Sequence, residues 1–329
     1  MLLGTRAVSP HSIRGKPFWQ RALFFPPFLW CKKCKEHHAD NAQTFASSMS
    51  SKRKRAEPEY ALHLGDALSS ETGMARLPKG KVDLVLCDPP FGVTSRNKWD
   101  KELDLDAVFA QLERVTKPNA AVIFFSQGIL TAKLMLGPWQ KHYRYSTILK
   151  YNKPRGFLNA KKQPLRYHSD IVVFYRKQCT YNPQMVQTDR PVHACKRKAT
   201  SVNYGHAQGG TNTRAGATDR YPGSVIEFGV VDGNDPDRFH PTQKPVDLCE
   251  YLIRAYSNEG DLVLDFCAGS ATTGVAALQT GRRFVGFEKE AEYHEKASAR
   301  LQATSDRIAG DADGDHAKSP RKEPDITQS

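Results

Sequence analysis

The residues of this 329-residue chain that could do chemistry gather in a few short runs. Asp88-Pro89-Pro90-Phe91 closes the apolar stretch Val82–Cys87. Two prolines directly after a β-like run stop the strand, because proline fixes φ and has no amide hydrogen to give. The rigid corner left behind offers one carboxylate, outward-facing backbone carbonyls and an aromatic face. That set suits a flat, amine-bearing nucleobase. A second run, Asp265-Phe266-Cys267-Ala268-Gly269-Ser270-Ala271-Thr272-Thr273, follows the strand-like Leu262–Phe266 and opens a helix. Its glycine lets a ligand approach the backbone, and the amino end of a helix favours a carboxylate or phosphate. Neither G-x-G-x-x-G nor the phosphate-loop spacing is satisfied. About twenty residues on, Phe284–Phe287 ends in Glu288, an acid placed to accept from both ribose hydroxyls. Turn and acid together fit a nucleoside without a pyrophosphate, although a plain helix cap would explain the turn alone.

The elements that must hold these runs alternate between strand and helix signals. Tyr60–Leu64 reads as a strand ending at Gly65-Asp66, followed by a helical stretch to about Leu77 and the strand 82–87. Helical spacing returns from Leu103 to Val115, and Ala120–Phe125 reads as a buried strand. A helix near 130–137 leads to strands at Tyr145–Leu149 and Ile171–Tyr175, then to a polar, Gly-rich segment from about 178 to 220. Pro245–Tyr256 is helical, then strand Leu262–Phe266, helix Thr273–Gln279, strand Arg283–Phe287 and helix Glu290–Leu301. Short apolar strands alternating with helices imply an α/β fold with a mostly parallel sheet covered on both faces.

The net charge of +13 is unevenly spread. Residues 1–55 carry +9, residues 150–220 carry +11, and residues 221–302 carry −5. A basic block inside a folded region points to a polyanion, most plausibly nucleic acid. It includes Lys150, Lys153, Arg155, Lys161, Lys162, Arg166, Lys196, Arg197 and Lys198, interleaved with Tyr151, Phe157, Tyr167, Tyr181 and Tyr204. No apolar run approaches the ~20 residues of a membrane helix, so no membrane partner is expected. Seven scattered cysteines argue for a reducing compartment. Residues 1–57 read as a basic, disordered leader, of which residues 1–48 are an organellar address, a disordered extension, or the product of an upstream start with Met49 as initiator. Lys52–Arg55 would serve as a nuclear address or a solvated charge run. Cys31, Cys34, His37 and His38 make half a zinc site without a second ligand pair at the usual distance, so no metal is expected. Residues 303–329 read as a disordered tail. A second copy of the chain stays open as a partner.

Taken together, Asp88–Phe91, His240-Pro241-Thr242-Gln243-Lys244-Pro245, Asp265–Thr273 and Gly286-Phe287-Glu288 resemble the DNA N4-cytosine/N6-adenine methyltransferase family. Their order is similar to the beta class of amino-methyltransferases: catalytic motif, then target-recognition region, then cofactor motif. The resemblance covers residues 58–302, with 150–220 as the basic target-recognition insertion. Cys87 to Asp100 and Glu259 to Thr273 resemble solitary adenine methylases of phages and bacteria. It implies a circularly permuted, Rossmann-like sheet using S-adenosyl-L-methionine. Residues 60–64 then supply the strand missing after Glu288, with Asp66 facing the cofactor's adenine; a helix-capping Asp66 is the alternative. Thr242 and Lys244 are implied to approach the methionine carboxylate, against a cap and a surface charge.

The implied chemistry moves a methyl group to an exocyclic amine of a base flipped out of duplex DNA. Asp88 and the Pro89 carbonyl would accept the amine hydrogens, and Phe91 would stack on the base. Ser270, Thr272 and Thr273 would line the cofactor's amino-acid end, within a cofactor set that also holds Asp265, Phe266, Gly269 and Glu288. Asp at the first motif position leans toward N6-adenine over N4-cytosine. Ala271 departs from the family's usual glycine and keeps open a catalytically silent nucleic-acid-binding module. RNA is a further open substrate.

Overall fold

The computed structural model describes residues 59–92, 101–193, 214–235 and 237–313. The Cys31/Cys34 pair, the Lys52–Arg55 cluster and Lys196, Arg197 and Lys198 lie outside the described residues. Among the described residues there are ten strands and five α-helices; the strands are β1 Tyr60–Leu64, β2 Val82–Cys87, β3 Thr116–Ser126, β4 Tyr143–Arg155, β5 Arg166–Phe174, β6 Val186–Gln187, β7 Asp219–Arg220, β8 Val225–Phe228, β9 Leu262–Asp265 and β10 Arg283–Glu288. The helices are α1 Leu105–Val115, α2 Ile129–Leu136, α3 Val246–Tyr256, α4 Thr272–Gln279 and α5 Ala291–Asp313.

Eight strands make one sheet in the order β1-β10-β9-β2-β3-β5-β4-β8. The run from β1 to β3 is parallel throughout, β5 is antiparallel to both β3 and β4, and β4 pairs parallel with β8. Alternate residues of the central strands point to opposite faces, and both faces are covered. Leu84, Leu86, Ile123, Phe125 and Val173 pack with Leu248, Leu252, Val275 and Leu301 from α3, α4 and α5. Val85, Cys87, Val122, Phe124 and Val172 pack on the other face with Val108, Phe109 and Leu112 of α1 and Leu134 of α2. Each fully buried Leu, Val or Phe contributes ~1.5–3 kcal/mol, which is why these near-continuous apolar runs are strands of a covered sheet.

The permutation is visible in the backbone. β1 lies parallel to β10, Tyr60 opposite Phe284 and Leu64 opposite Glu288, and Gly65 N–H donates to Glu288 O at 2.8 Å. The first strand of the described chain therefore completes the sheet beside the last.

Within the basic segment, β4 and β5 carry residues 150–174 into the main sheet as a long hairpin. Three expectations differ from the structure. The helix expected up to Leu77 is a series of turns ending in a 3₁₀ turn at Met74–Arg76. Asp66 Oδ1 takes Leu68 N–H and Ser69 Oγ takes the N–H groups of Glu71 and Thr72, so side chains compete for the amides a helix would use. Val225–Phe228 was not foreseen as a strand; it pairs with Ile148–Tyr151 and buries Ile226 and Phe228. The last helix runs to Asp313, past the expected tail boundary at 302, because Thr304 is buried and Ile308 packs on the core one turn further on.

Candidate active site

The carboxyl ends of β1, β2, β9 and β10 open on one side of the sheet, where α/β folds bind ligands. A cleft of about 1160 Å³, open mouth included, lies there. Asp88, Pro89, Pro90 and Phe91 from the end of β2 line it, together with Asp66 after β1, Phe266 and Gly269 after β9, and Glu288 at the end of β10. Thr242 and Lys244 reach it from the loop before α3. A smaller hollow continues from it along Asp265, Ser270, Thr272 and Thr273, sharing Asp88, Thr242, Lys244 and Gly269 with the cleft. Two runs about 180 residues apart in sequence thus face a single space.

The glycine turn is held from within. Gly269 has φ +53°, and its N–H donates to Glu288 Oε2 at 2.7 Å, while Glu288 Oε1 accepts from Glu290 N–H at 2.9 Å. A carboxylate has about four acceptor positions, so Glu288 retains capacity toward the cleft. Ala271 sits at φ +52°, the one described non-glycine residue with positive φ, and it is fully buried at the start of α4. The backbone position where this chain departs from its resemblance is therefore one that favours glycine, at a cost of ~1–2 kcal/mol for any other residue. Arg300 Nη1 secures the turn by donating to Ser270 O at 3.0 Å and Thr272 Oγ1 at 3.1 Å.

At the proline corner, Lys244 donates to Asp88 Oδ2. Its ammonium lies 5.0 Å from the Phe125 ring centroid and 5.9 Å from that of Phe91. Lys244 is 8% exposed and the Asp88 side chain 20%. The resemblance directs Lys244 to the methionine carboxylate; in the structure its ammonium is on the catalytic motif. The other carboxylate oxygen, Asp88 Oδ1, is buried and has no hydrogen-bond partner among the described residues. A buried acceptor left unmatched costs about 1–3 kcal/mol, which a ligand's donor would recover.

Asp265 is buried behind this pair. Burial pushes its carboxyl up to about 7, against hydrogen bonds from Thr273 and Cys267 N–H that favour the charged form, while Asp88 raises it further. The folded protein therefore holds this proton more tightly than the unfolded chain does. Stability from Asp265 is present below about pH 3.8 and is lost as pH rises toward 7, at up to about 1.4 kcal/mol per pH unit. Urea unfolding at pH 5 and pH 8 should accordingly show Asp265→Asn gaining stability on the parent at the higher pH; an unchanged difference would remove the assignment.

In the sequence His240 stands out only as part of a motif, and the structure gives it a place. Its Nδ1 lies 3.1 Å from Thr242 Oγ1, its ring stands edge-on to Tyr293 at 4.5 Å, and a Cβ added to Gly269 would meet its Nε2 at 3.7 Å. Burial first, then the Lys244 charge, lowers it to about 4, so the ring is neutral near pH 7. Gln127 after β3 and Tyr293 in the first turn of α5 also line the cleft. Sequence reasoning missed them, though both follow strand carboxyl ends. Cys87 is fully buried and its thiol is pushed up by that burial, in keeping with a structural side chain.

Of the expected nucleic-acid contacts, Arg155 lines the cleft, its guanidinium 4.3 Å over the ring of Tyr151, which lines it too. Lys153 pairs with Asp232 at 3.0 Å, and Lys161, Lys162 and Arg166 are exposed at the far end of the β4–β5 hairpin.

A family model described as DNA methylase, of the N6/N4 type, matches residues 82–299. Among curated proteins, the chain is 28% identical over 265 residues to the DNA adenine methyltransferase YhdJ of Escherichia coli (strain K12), covering 76% of this chain and 84% of YhdJ. In fold it is similar to the PvuII cytosine-N4-specific DNA methyltransferase, with a TM-score of 0.52 and 15% identity over 77% of this chain and 95% of that one. The M1.HpyAVI–SAM complex gives a TM-score of 0.50 and 20% identity, over 74% of this chain and 98% of that one. With the matched span taking in the proline corner, the Thr242/Lys244 loop, the glycine turn and Glu288, the chain belongs to the N6/N4 DNA methylase family, whose methyl donor is S-adenosylmethionine.

Proposed function

We propose that the protein methylates the exocyclic N6 amine of adenine in DNA, on a base turned out of the duplex. The observation that carries this reading is Asp88 Oδ1, a buried acceptor without a partner among the described residues, on a side chain that lines the same cleft as the glycine turn. S-adenosylmethionine, when bound, supplies an activated methyl group. The cleft fits it: Gly269 at φ +53° leaves its wall without a side chain, Glu288 keeps acceptor positions suited to ribose hydroxyls, and Asp66 stands at the end of the adjacent strand.

The chain's own task is orientation and charge. An aromatic amine is a poor nucleophile because its lone pair is delocalised into the ring. Asp88 Oδ1 and the Pro89 carbonyl accept its two hydrogens, drawing nitrogen toward a pyramidal shape that frees the lone pair. Phe91 holds the ring face, and Asp88 stabilises positive charge developing on nitrogen until a proton leaves toward solvent. Lys244 holds the second Asp88 oxygen, so the carboxylate keeps one oxygen for the amine. Thr242, Ser270, Thr272 and Thr273 surround the end of the hollow suited to the methionine portion.

Adenine is favoured over cytosine by the Asp of the motif and by the likeness to YhdJ, a DNA adenine methyltransferase. The test is incubation of unmethylated DNA with purified protein and labelled cofactor, followed by digestion to nucleosides. Label in N6-methyl-2′-deoxyadenosine is the expected result. Label only in methylcytosine would reject the adenine assignment, and cofactor binding without turnover on DNA or RNA would reject methyl transfer.

A further inference from the structure

The hairpin between β4 and β5 ends in a tip that the folded core does not explain. Gly156, at φ +89°, turns the chain away from the sheet, and Phe157–Asn159 forms a 3₁₀ turn. Asn159 N–H donates to Gly156 O at 3.0 Å, and Lys162 N–H to Asn159 O at 2.8 Å, so the tip is closed by its own backbone. It presents Leu158, 101% exposed, and Phe157, 66% exposed. A single exposed leucine is ordinary. The flanks of this one are not: Lys153, Arg155, Lys161, Lys162 and Arg166 surround it, with no acid between Lys153 and Ser169. The one carboxylate paired to this set among the described residues is Asp232 on Lys153, between two side chains more than half exposed.

A polyanion would be drawn to the flanks, yet phosphates have nothing to offer an apolar tip. Stacked bases do. Arg155 and Tyr151 line the catalytic cleft, so the tip begins one residue beyond the wall past which an extruded base must travel. Basic side chains with an apolar wedge between them are how proteins hold a duplex while parting a base step.

We infer that Leu158, supported by Phe157, enters the duplex beside the target and fills the gap left by the extruded base, while the surrounding lysines and arginines hold the phosphates. This rests on the methylation reading above. It assigns to the tip a role in base extrusion, separate from the chemistry at Asp88 and from cofactor binding.

An already unpaired base needs no wedge, and this gives the test. Methyl incorporation is measured on native DNA from a methylation-free host and on the same DNA heat-denatured. Leu158→Ala should lose ~10-fold or more on native DNA and under twofold on denatured DNA, with duplex affinity changed less than threefold. Leu158→Phe should restore the native-DNA rate, because apolar bulk is what the gap requires. Equal losses on both forms, or none on either, would overturn the inference while leaving methylation intact. So would a parent that methylates only denatured DNA, or a loss matched by a change in sedimentation, which would make the tip a self-association contact. A parent inactive on both forms would remove the methylase reading and this inference with it.

Discussion

Asp88→Ala should lower single-turnover methyl transfer by about 10³-fold or more, while retention of duplex DNA on a filter stays within a few-fold of the parent. The size follows from the two tasks placed on one carboxylate. It accepts an amine hydrogen, and it stabilises charge that exists only near the transition state; preorganised groups of that kind are worth about 10²–10³ each. DNA affinity is spared because Asp88 lines the cleft, whereas the basic groups proposed to meet phosphates are on the β4–β5 hairpin. Asp88→Asn is a sharper probe. It keeps an acceptor oxygen but surrenders the charge, and it leaves Lys244 facing a neutral amide, so it should recover little. A variant within tenfold of the parent rate would mean that Asp88 is not the acceptor.

The second large effect is expected at Lys244. Its ammonium is 8% exposed and its carboxylate partner is 20% exposed, so the pair is screened by solvent at one end only. Removing one member of such a pair leaves the other without its counter-charge, at a cost of up to about 3 kcal/mol after allowance for that partial exposure. Replacing both members by neutral groups is far less harmful. Lys244→Met should therefore lower stability by ~2–3 kcal/mol in urea unfolding at pH 7, and Asp88→Asn/Lys244→Met should recover most of it. Additive losses in the double variant would show that the two side chains act independently. In activity the single variant should fall about 10²-fold, since Asp88 would lose the contact that fixes its second oxygen.

How much of this was legible depended on the range of the interaction involved. The strand–corner–cleft logic at Asp88 was readable because proline stops a strand locally, and the near-continuous apolar run 82–87 marks a strand buried on both faces. The place of β1 was also readable, since Gly65-Asp66 closes a strand and the family resemblance requires a neighbour beside the Glu288 strand. Lys244 on Asp88 was not, because the two are 156 residues apart and nothing in either neighbourhood names the other. The turns at 66–77 were missed because Asp66 and Ser69 compete with helix through individual hydrogen bonds, which composition does not reveal. β8 was hidden by length, since four residues carry almost no period. Ala271 was identified as a departure, and its positive φ supplied the physical meaning.

The pairing of β1 with β10 has a temporal meaning as well. Tyr60 leaves the ribosome more than two hundred residues before Phe284, the residue it will lie beside. Until then β1 has no sheet to join, and contacts this distant in sequence are made late and slowly. Asp66 and Glu288, which flank that pairing, cannot line one cleft before Glu288 has been made. The nascent chain consequently carries its proline corner long before it has both of these walls.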